Sequence, residues 1–507
     1  MRPGLGAALT AFGMPLGVFV ADELVRDLPD TVDPWQRVEE VFANPSKLPR
    51  SLQHQISPML RDKWNMLRNK RQKRIEWLRA LSCFEISAEQ AKLLYDEDRR
   101  AKAGILDSDE AFLSNVYLAF HHTRLTGDPI SFFTPDMAMF WKGPVHPLSE
   151  ASRPNGVDDH RRVTALATHV LTTAQEEGHS VLPRTHVLER IRDLTLDPSC
   201  PIDRDALEVL EECSDAFESL LATHDSEDGE RFYQLPERDD LCALIRGLKR
   251  RIIRGKRYSV PVDWAKRYDD ATSDEESRSK QKYMSSAVLE GARTERISAL
   301  RELAESPVSV LVGAAGTGKT WLLEILCGEE AIRGDGILLL APTGKARVQL
   351  QKSANRSLPA GRSLSAFRLA QFLVDKGRYD PNPMRYCRNK SLRPTGGWKT
   401  VVIDEASMLT EDMLAAVMDA VSGYERLILV GDPAQLPPIG VGRPFIDLVE
   451  LLREQGRGYA LLTVRFRQEV VSRDKEAETP PDLFTRTRES FTGNPCRWNR
   501  RTRGWLG

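Results

Sequence analysis

The sequence predicts an α/β fold in its C-terminal half, a doubly wound parallel sheet, preceded by a mostly α-helical region. Three observations carry this. Four short runs, VSVLV (308–312), ILLLA (337–341), TVVID (400–404) and RLILV (426–430), are apolar without polar alternation, as expected of strands covered on both faces. The stretches between them are long enough for crossover helices, which makes the sheet parallel. Before residue 260 the apolar residues instead recur near helical spacing, as in Trp64, Leu67, Ile75 and Leu78, or Val187, Leu188, Ile191 and Leu194.

At 507 residues the chain exceeds one ordinary domain. Composition shifts divide it into a helical N-terminal region (1–150), a helical domain (151–267), a charged linker (268–290), the α/β domain (291–470) and an irregular tail (471–507). Prolines at 129, 135, 144, 147 and 154 make 129–154 loop-rich. Pro183 stands where a new helix starts. Residues 268–282 (YDDATSDEESRSKQK) are nearly free of apolar groups, so they read as a linker or a solvated helix. The apolar run 4–21 is broken by four Gly and Pro15, so it reads as a buried helical hairpin rather than a signal or anchor. No other run reaches the roughly 18 apolar residues of a membrane span, so no membrane partner is expected.

Lys and Arg total 72 against 73 Asp and Glu, a net charge of −1. Binding to nucleic acid through overall charge is thereby excluded, and local patches remain. Residues 61–79 carry eight Lys or Arg with Trp64 and Trp77, and residues 249–257 carry six. A solvated helix face with its Trp in the core is the favoured reading of the first. Seven scattered Cys form no CxxC pair, which suits a reducing, cytoplasmic setting.

Four motifs carry chemistry. Residues 313–320, GAAGTGKT, match the phosphate-binding loop pattern between a strand and a helix. Gly313, Gly316 and Gly318, with Thr317, let backbone N–H groups wrap phosphate oxygens. Lys319 would reach the β- and γ-phosphates and Thr320 would ligate Mg²⁺. Asp404 and Glu405 end a buried strand, the first placed to hold Mg²⁺ through water, the second to orient or deprotonate an attacking water. Gln435, in GDPAQLPP (431–438), is placed to sense the γ-phosphate. Pro342, Thr343 and Lys345, in APTGKA (341–346), would grip a nucleic-acid phosphate. All nine His lie between 54 and 224 without an HExxH spacing, so no metal is assigned beyond nucleotide-bound Mg²⁺.

Taken in order, GAAGTGKT, LLLAPTGKA, VVIDEASML and LILVGDPAQLPPIGVGRPF resemble motifs I, Ia, II and III of superfamily 1 DNA helicases of the RecD/TraA type. The segment 463–468 (TVRFRQ) resembles that branch's motif IV, which implies that Arg467 reaches the γ-phosphate. The resemblance is strong over 293–468. It implies a RecA-like P-loop ATPase domain, one of two in a motor that moves 5′ to 3′ on single-stranded DNA and unwinds duplex DNA with ATP and Mg²⁺. Segments 84–95, 105–117 and 178–179 resemble the helical region ahead of such motors more weakly.

The sequence departs from that pattern in three places. After Gln468 only 39 residues remain, fewer than the roughly 100–150 of a typical domain. The expectation is a motor cut short before its second RecA-like domain, with weak turnover unless a partner supplies that domain. The rival expectation is a nucleotide-dependent DNA- or partner-binding module without motor activity. The tail 496–507 (CRWNRRTRGWLG), with four Arg, two Trp and no acid, reads as out-of-frame translation near codon 496. Residues 292–300 hold no Gln to read adenine, so preference for ATP is not secured.

Overall fold

A computed structural model of the chain describes residues 3–465, apart from 30–31, 143–145, 147, 149, 214, 227–228, 274–285, 360, 382–383, 388 and 390. The chain forms two compact units. One holds the residues up to Thr172 together with Arg184–Ala222. The other holds Thr173–Pro183 and the described residues from Thr223 onward.

The first unit is helical. Its N-terminal run folds as two short helices, Leu5–Phe12 and Gly17–Val25, packed on each other. A Cβ on Gly6 would lie 2.8 Å from the Val18 backbone, and one on Gly17 would lie 2.5 Å from Thr10 N. The glycines that interrupt the apolar run therefore permit the close packing of the hairpin. Among the described residues, no helix is long and apolar enough to cross a membrane. Trp64 stacks on Phe42 at 4.5 Å and on Trp35 at 6.1 Å, and Trp77 on Phe112 at 4.8 Å.

The boundary expected at 150/151 does not divide this unit. Asp136, on the helix Phe133–Met139, accepts from Arg162 Nε at 2.9 Å and from the Tyr117 hydroxyl at 2.5 Å. A buried guanidinium needs its carboxylate partner, and this pair ties the two sides of the proline-rich stretch into one core. The division between units falls instead inside the helix His160–Glu176.

The second unit is built on a six-stranded sheet. The strands of this unit are β1 (Leu182–Pro183), β2 (Ala222–Asp225), β3 (Arg231–Gln234), β4 (Val308–Gly313), β5 (Ile337–Ala341), β6 (Ala366–Arg368), β7 (Tyr379–Asp380), β8 (Arg385–Tyr386), β9 (Thr400–Ile403), β10 (Arg426–Gly431) and β11 (Tyr459–Leu462). The large sheet runs β11-β4-β10-β9-β5-β6 with every neighbouring pair parallel. The others form a small sheet, β1-β3-β2, and a two-stranded hairpin, β7-β8.

Both faces of the large sheet are covered. Val308, Val310, Val312, Leu338, Leu340, Val401, Ile403, Leu427 and Leu429 pack into one core with residues of the helices Asp239–Arg254, Leu369–Asp375, Glu411–Ala420 and Pro444–Gln455. Their neighbours Leu311, Leu339, Val402, Ile428 and Val430 pack into the other, with the helices Trp264–Thr272, Ser286–Glu305, Lys319–Gly328 and Gly344–Arg356. The absence of polar alternation is thus explained strand by strand.

Part of the stretch expected to be a linker is structural. Trp264 and Tyr268 are buried in that second core, and Arg293 closes the contact through Asp269 at 2.7 Å. Two aromatic anchors outweigh the charge of the surrounding sequence. Residues 274–285 of that stretch lie outside the described residues.

Candidate nucleotide site

In an all-parallel sheet every strand delivers its C-terminal end to the same edge. Here that edge collects Gly313 at the end of β4, Pro342 and Thr343 after β5, Asp404 and Glu405 after β9, Asp432 after β10 and Thr463 after β11. β10 lies between β4 and β9, so the phosphate-loop strand and the carboxylate strand are not neighbours.

The 313–320 loop turns from β4 into the helix Lys319–Gly328. Gly316 and Gly318 have φ of 85° and 89°, the left-handed region that glycine enters without cost to a Cβ. Nothing lies within 4 Å of a Cβ built on Gly318, so that face of the loop opens outward beside the N-terminus of the helix. A Cβ on Gly313 would meet Thr317 Oγ1 at 2.6 Å and Leu462 O at 3.0 Å. The Thr317 hydroxyl is buried and turned inward, donating to Ala314 O at 2.9 Å. Thr320 stands half-buried on the first turn of the helix.

Lys319 Nζ donates to Gly313 O at 2.5 Å and Ala314 O at 3.1 Å, folded back over its own loop. Burial lowers its pKa, while the charges of Asp432, Asp404 and Glu405 act to raise it. The lysine therefore lies within the field of acids from both β9 and β10. Burial pushes the Asp404 carboxyl up to about 6; the charge of Glu405 adds to this, and the Glu405 N–H at 2.9 Å and Lys319 oppose it. Glu405 itself takes a left-handed backbone, φ 51° and ψ 40°. A non-glycine residue held there stores strain, and its carboxylate accepts from Thr343 Oγ1 at 3.4 Å.

Thr343 also caps the helix Gly344–Arg356, accepting from Ala346 N at 3.1 Å. Pro342 is half-buried beside it, and Lys345 is exposed on the first turn. Gln435 is exposed on the loop after β10, and its Oε1 accepts from Ser407 Oγ at 2.7 Å. Lys319, Asp404, Glu405 and Thr343 are thus brought together, and Gln435 is joined to the turn that follows Glu405. Arg467 lies outside the described residues, as does the tail 471–507.

Three contacts were not legible in advance. Arg296 is fully buried beneath the loop, its guanidinium donating to Thr317 O at 3.0 Å, Val464 O at 3.3 Å and Ala292 O at 3.1 Å. Glu295 accepts from Thr463 N at 2.9 Å and Thr463 Oγ1 at 2.6 Å. Glu324, on the phosphate-loop helix, accepts from Ser353 at 3.2 Å and Ser357 at 2.7 Å, joining that helix to the one capped by Thr343. The 292–300 segment draws notice in the sequence only for its missing Gln; its Arg gives no sign of burial until the partners are known.

Residues 292–479 match the family described as AAA domain. The ATP-dependent RecD2 DNA helicase of Deinococcus radiodurans is 28% identical over 308 residues, covering 59% of this chain and 38% of that protein. The RecBCD enzyme subunit RecD of Mycolicibacterium smegmatis is 32% identical over 195 residues, 36% of this chain and 35% of that one. The conjugal transfer protein TraA of Agrobacterium fabrum is a further relative, 31% identical over 163 residues but only 12% of its own length. The chain thus spans well under half the length of each of these relatives. The 308-residue match to RecD2 is longer than the matched AAA domain and everything after it, so it reaches upstream of residue 292.

Proposed function

We propose that the chain is an ATP-dependent DNA helicase of RecD-like type, coupling ATP binding and hydrolysis to movement on single-stranded DNA. The observation that supports this reading best is the convergence, at one sheet edge, of Lys319 with the acids of β9 and β10 and of Gln435 with the turn after Glu405.

In this reading the backbone N–H groups of 313–320 and the N-terminus of the helix Lys319–Gly328 bind the phosphates. Lys319 leaves its own loop carbonyls and moves to the β- and γ-phosphates. Thr320 and Asp404 would hold Mg²⁺, which supplies charge neutralisation for the phosphates when bound. The open cradle at Gly318 and a carboxylate whose burial favours a cation partner fit that group. Glu405 orients the attacking water and accepts its proton, held in place by its strained backbone and by Thr343. Gln435 responds to the γ-phosphate through Ser407. Pro342, Thr343 and Lys345 contact the DNA backbone, with Thr343 linking that contact to Glu405. Arg467 and a second RecA-like domain, from this protein or a partner, would complete the motor.

The test is ATP hydrolysis with and without single-stranded DNA, against a Lys319→Ala control. Turnover that requires Lys319 and rises with DNA is the expected result. DNA-independent turnover would overturn the motor reading; turnover equal to the control would make the second domain decisive and leave this chain a nucleotide-binding module.

A further inference from the structure

Of the two basic segments in the sequence, the structure pairs half the cations of one with acids and leaves a regular row of the other open. In 61–79, Arg71 pairs with Glu97, Lys73 with Glu76, Arg74 with Glu97 and Asp109, and Arg79 with Glu39. Trp64 and Trp77 are core residues. Arg68 and Lys70 remain exposed without an acidic partner among the described residues, but Lys63 donates to Phe12 O and the paired cations interrupt any continuous row.

The helix Asp239–Arg254 is different. Leu241, Cys242, Ile245, Leu248 and Ile252 bury one side of it against the large sheet. Arg246, Arg250 and Arg254 recur every fourth residue on the exposed side, over about 12 Å of helix at 1.5 Å per residue. Lys256 is exposed just beyond the helix end, and Lys249 is half-buried beside the row. None of these five has an acidic partner among the described residues. Two other cations of the segment are engaged: Arg251 donates to Tyr424 O at 2.8 Å, and Arg257 bonds Glu302 and Glu305 at 2.9–3.0 Å. Ile253 is exposed within the row.

The row also has a defined place. Arg251 reaches the carbonyls just before β10, and Arg457, just before β11, donates to Gly255 O at 3.3 Å. The helix end therefore sits at the edge where the strands begin, opposite the edge that carries Lys319, Asp404 and Thr343. In a chain of net charge −1, an unpaired cationic row of this length complements a regular polyanion.

We propose that Arg246, Arg250 and Arg254, with Lys256, form a second DNA contact that binds backbone phosphates without reading sequence, separate from the contact at Pro342–Lys345. This rests on the reading that the chain binds DNA. The test compares the full chain with an Arg246→Gln/Arg250→Gln/Arg254→Gln variant, binding a labelled single-stranded oligonucleotide and its duplex between about 50 and 200 mM salt. The expected result is affinity at least about tenfold weaker near 100 mM salt. The logarithmic salt slope should be shallower by about two for the single strand and nearly three for the duplex, at roughly 0.7 and 0.9 per lost phosphate contact. Unchanged binding of a fluorescent ATP analogue would show that the variant is folded. A variant with wild-type affinity and slope overturns the proposal while leaving the DNA reading intact. A wild-type chain with no affinity for either DNA overturns both. Lost DNA affinity together with lost nucleotide binding also counts against it; single Arg250→Gln and Arg254→Gln variants that still bind the analogue then decide, a slope lowered by about one unit each restoring it and an unchanged slope ending it.

Discussion

Ser407 Oγ donates to Gln435 Oε1 at 2.7 Å, linking the turn after the β9 carboxylates to the loop after β10. In this orientation the Gln435 side-chain amide N–H₂ is left to face elsewhere. Ser407→Ala should release the side chain at the cost of one hydrogen bond, about 1 kcal/mol. The expected outcome is a fall of about fivefold to tenfold in DNA-stimulated kcat with little change in KM for ATP. Steady-state kinetics check this, and an equal change in KM would assign Ser407 to binding instead.

Asp404 titrates near 6 because it is buried. A protonated carboxyl holds a divalent cation poorly, so at low Mg²⁺ the hydrolysis rate should fall as pH drops below about 6. Raising Mg²⁺ should move that limb to lower pH, because cation and proton compete for one site. Asp404→Asn should abolish both the rate and the Mg²⁺-dependent shift. Rate profiles at two Mg²⁺ concentrations measure it.

Arg296 stands under the phosphate loop with three carbonyl partners. Arg296→Met keeps the aliphatic stem and removes the donors, leaving buried carbonyls bare. Stability of the α/β unit should fall by about 2–4 kcal/mol, and nucleotide should bind more weakly. Denaturant titration and equilibrium binding test this together; a loss confined to stability would make Arg296 a core residue alone.

The loop glycines should separate by mechanism. Gly318→Ala meets no atom within 4 Å, so its cost is the left-handed backbone, about 1–2 kcal/mol. Gly313→Ala meets Thr317 Oγ1 at 2.6 Å and Leu462 O at 3.0 Å and should disturb β11 as well. Adding Thr317→Ala removes the nearer contact and should recover part of the stability lost by Gly313→Ala, with no benefit to Gly318→Ala. Thermal unfolding of the four variants reads this out.

His121 is buried in the helical unit, with no hydrogen-bond partner for either ring nitrogen among the described residues. Burial, then the charges of Arg124 and His122, bring its pKa down to about 3. The folded pKa lies below the unfolded one, so the unfolded chain takes up the proton first. The stability at stake is fully present above about pH 6.5 and declines as pH falls from there toward 3. Between pH 7 and pH 5 the loss should be about 2 kcal/mol. His121→Leu should flatten that slope, as chemical denaturation at the two pH values would reveal.

The central strands were legible because burial on both faces leaves mostly apolar residues, as in β4 and β10. The edge strands were not. β11 has a half-exposed pattern and β6 only three residues, two of them exposed, so neither differs from a loop in composition. The motif residues could be listed from spacing, but the contact of Ser407 with Gln435 depends on the order of strands in space. Burial of Arg296, and the anchoring role of Tyr268 within a charged stretch, depend on partners far away in sequence.

Glu295 and Arg296, adjacent on one helix, hold Thr463 and Val464 on one side and Thr317 on the other. Thr463 and Val464 follow directly on β11, the edge strand of the large sheet. Any tension applied to the chain from downstream is resisted first at this clamp, one hydrogen bond away from the phosphate loop. If the loop holds nucleotide, its occupancy and a pull on the chain after β11 would act on the same guanidinium, a mechanical coupling that requires no movement of the sheet.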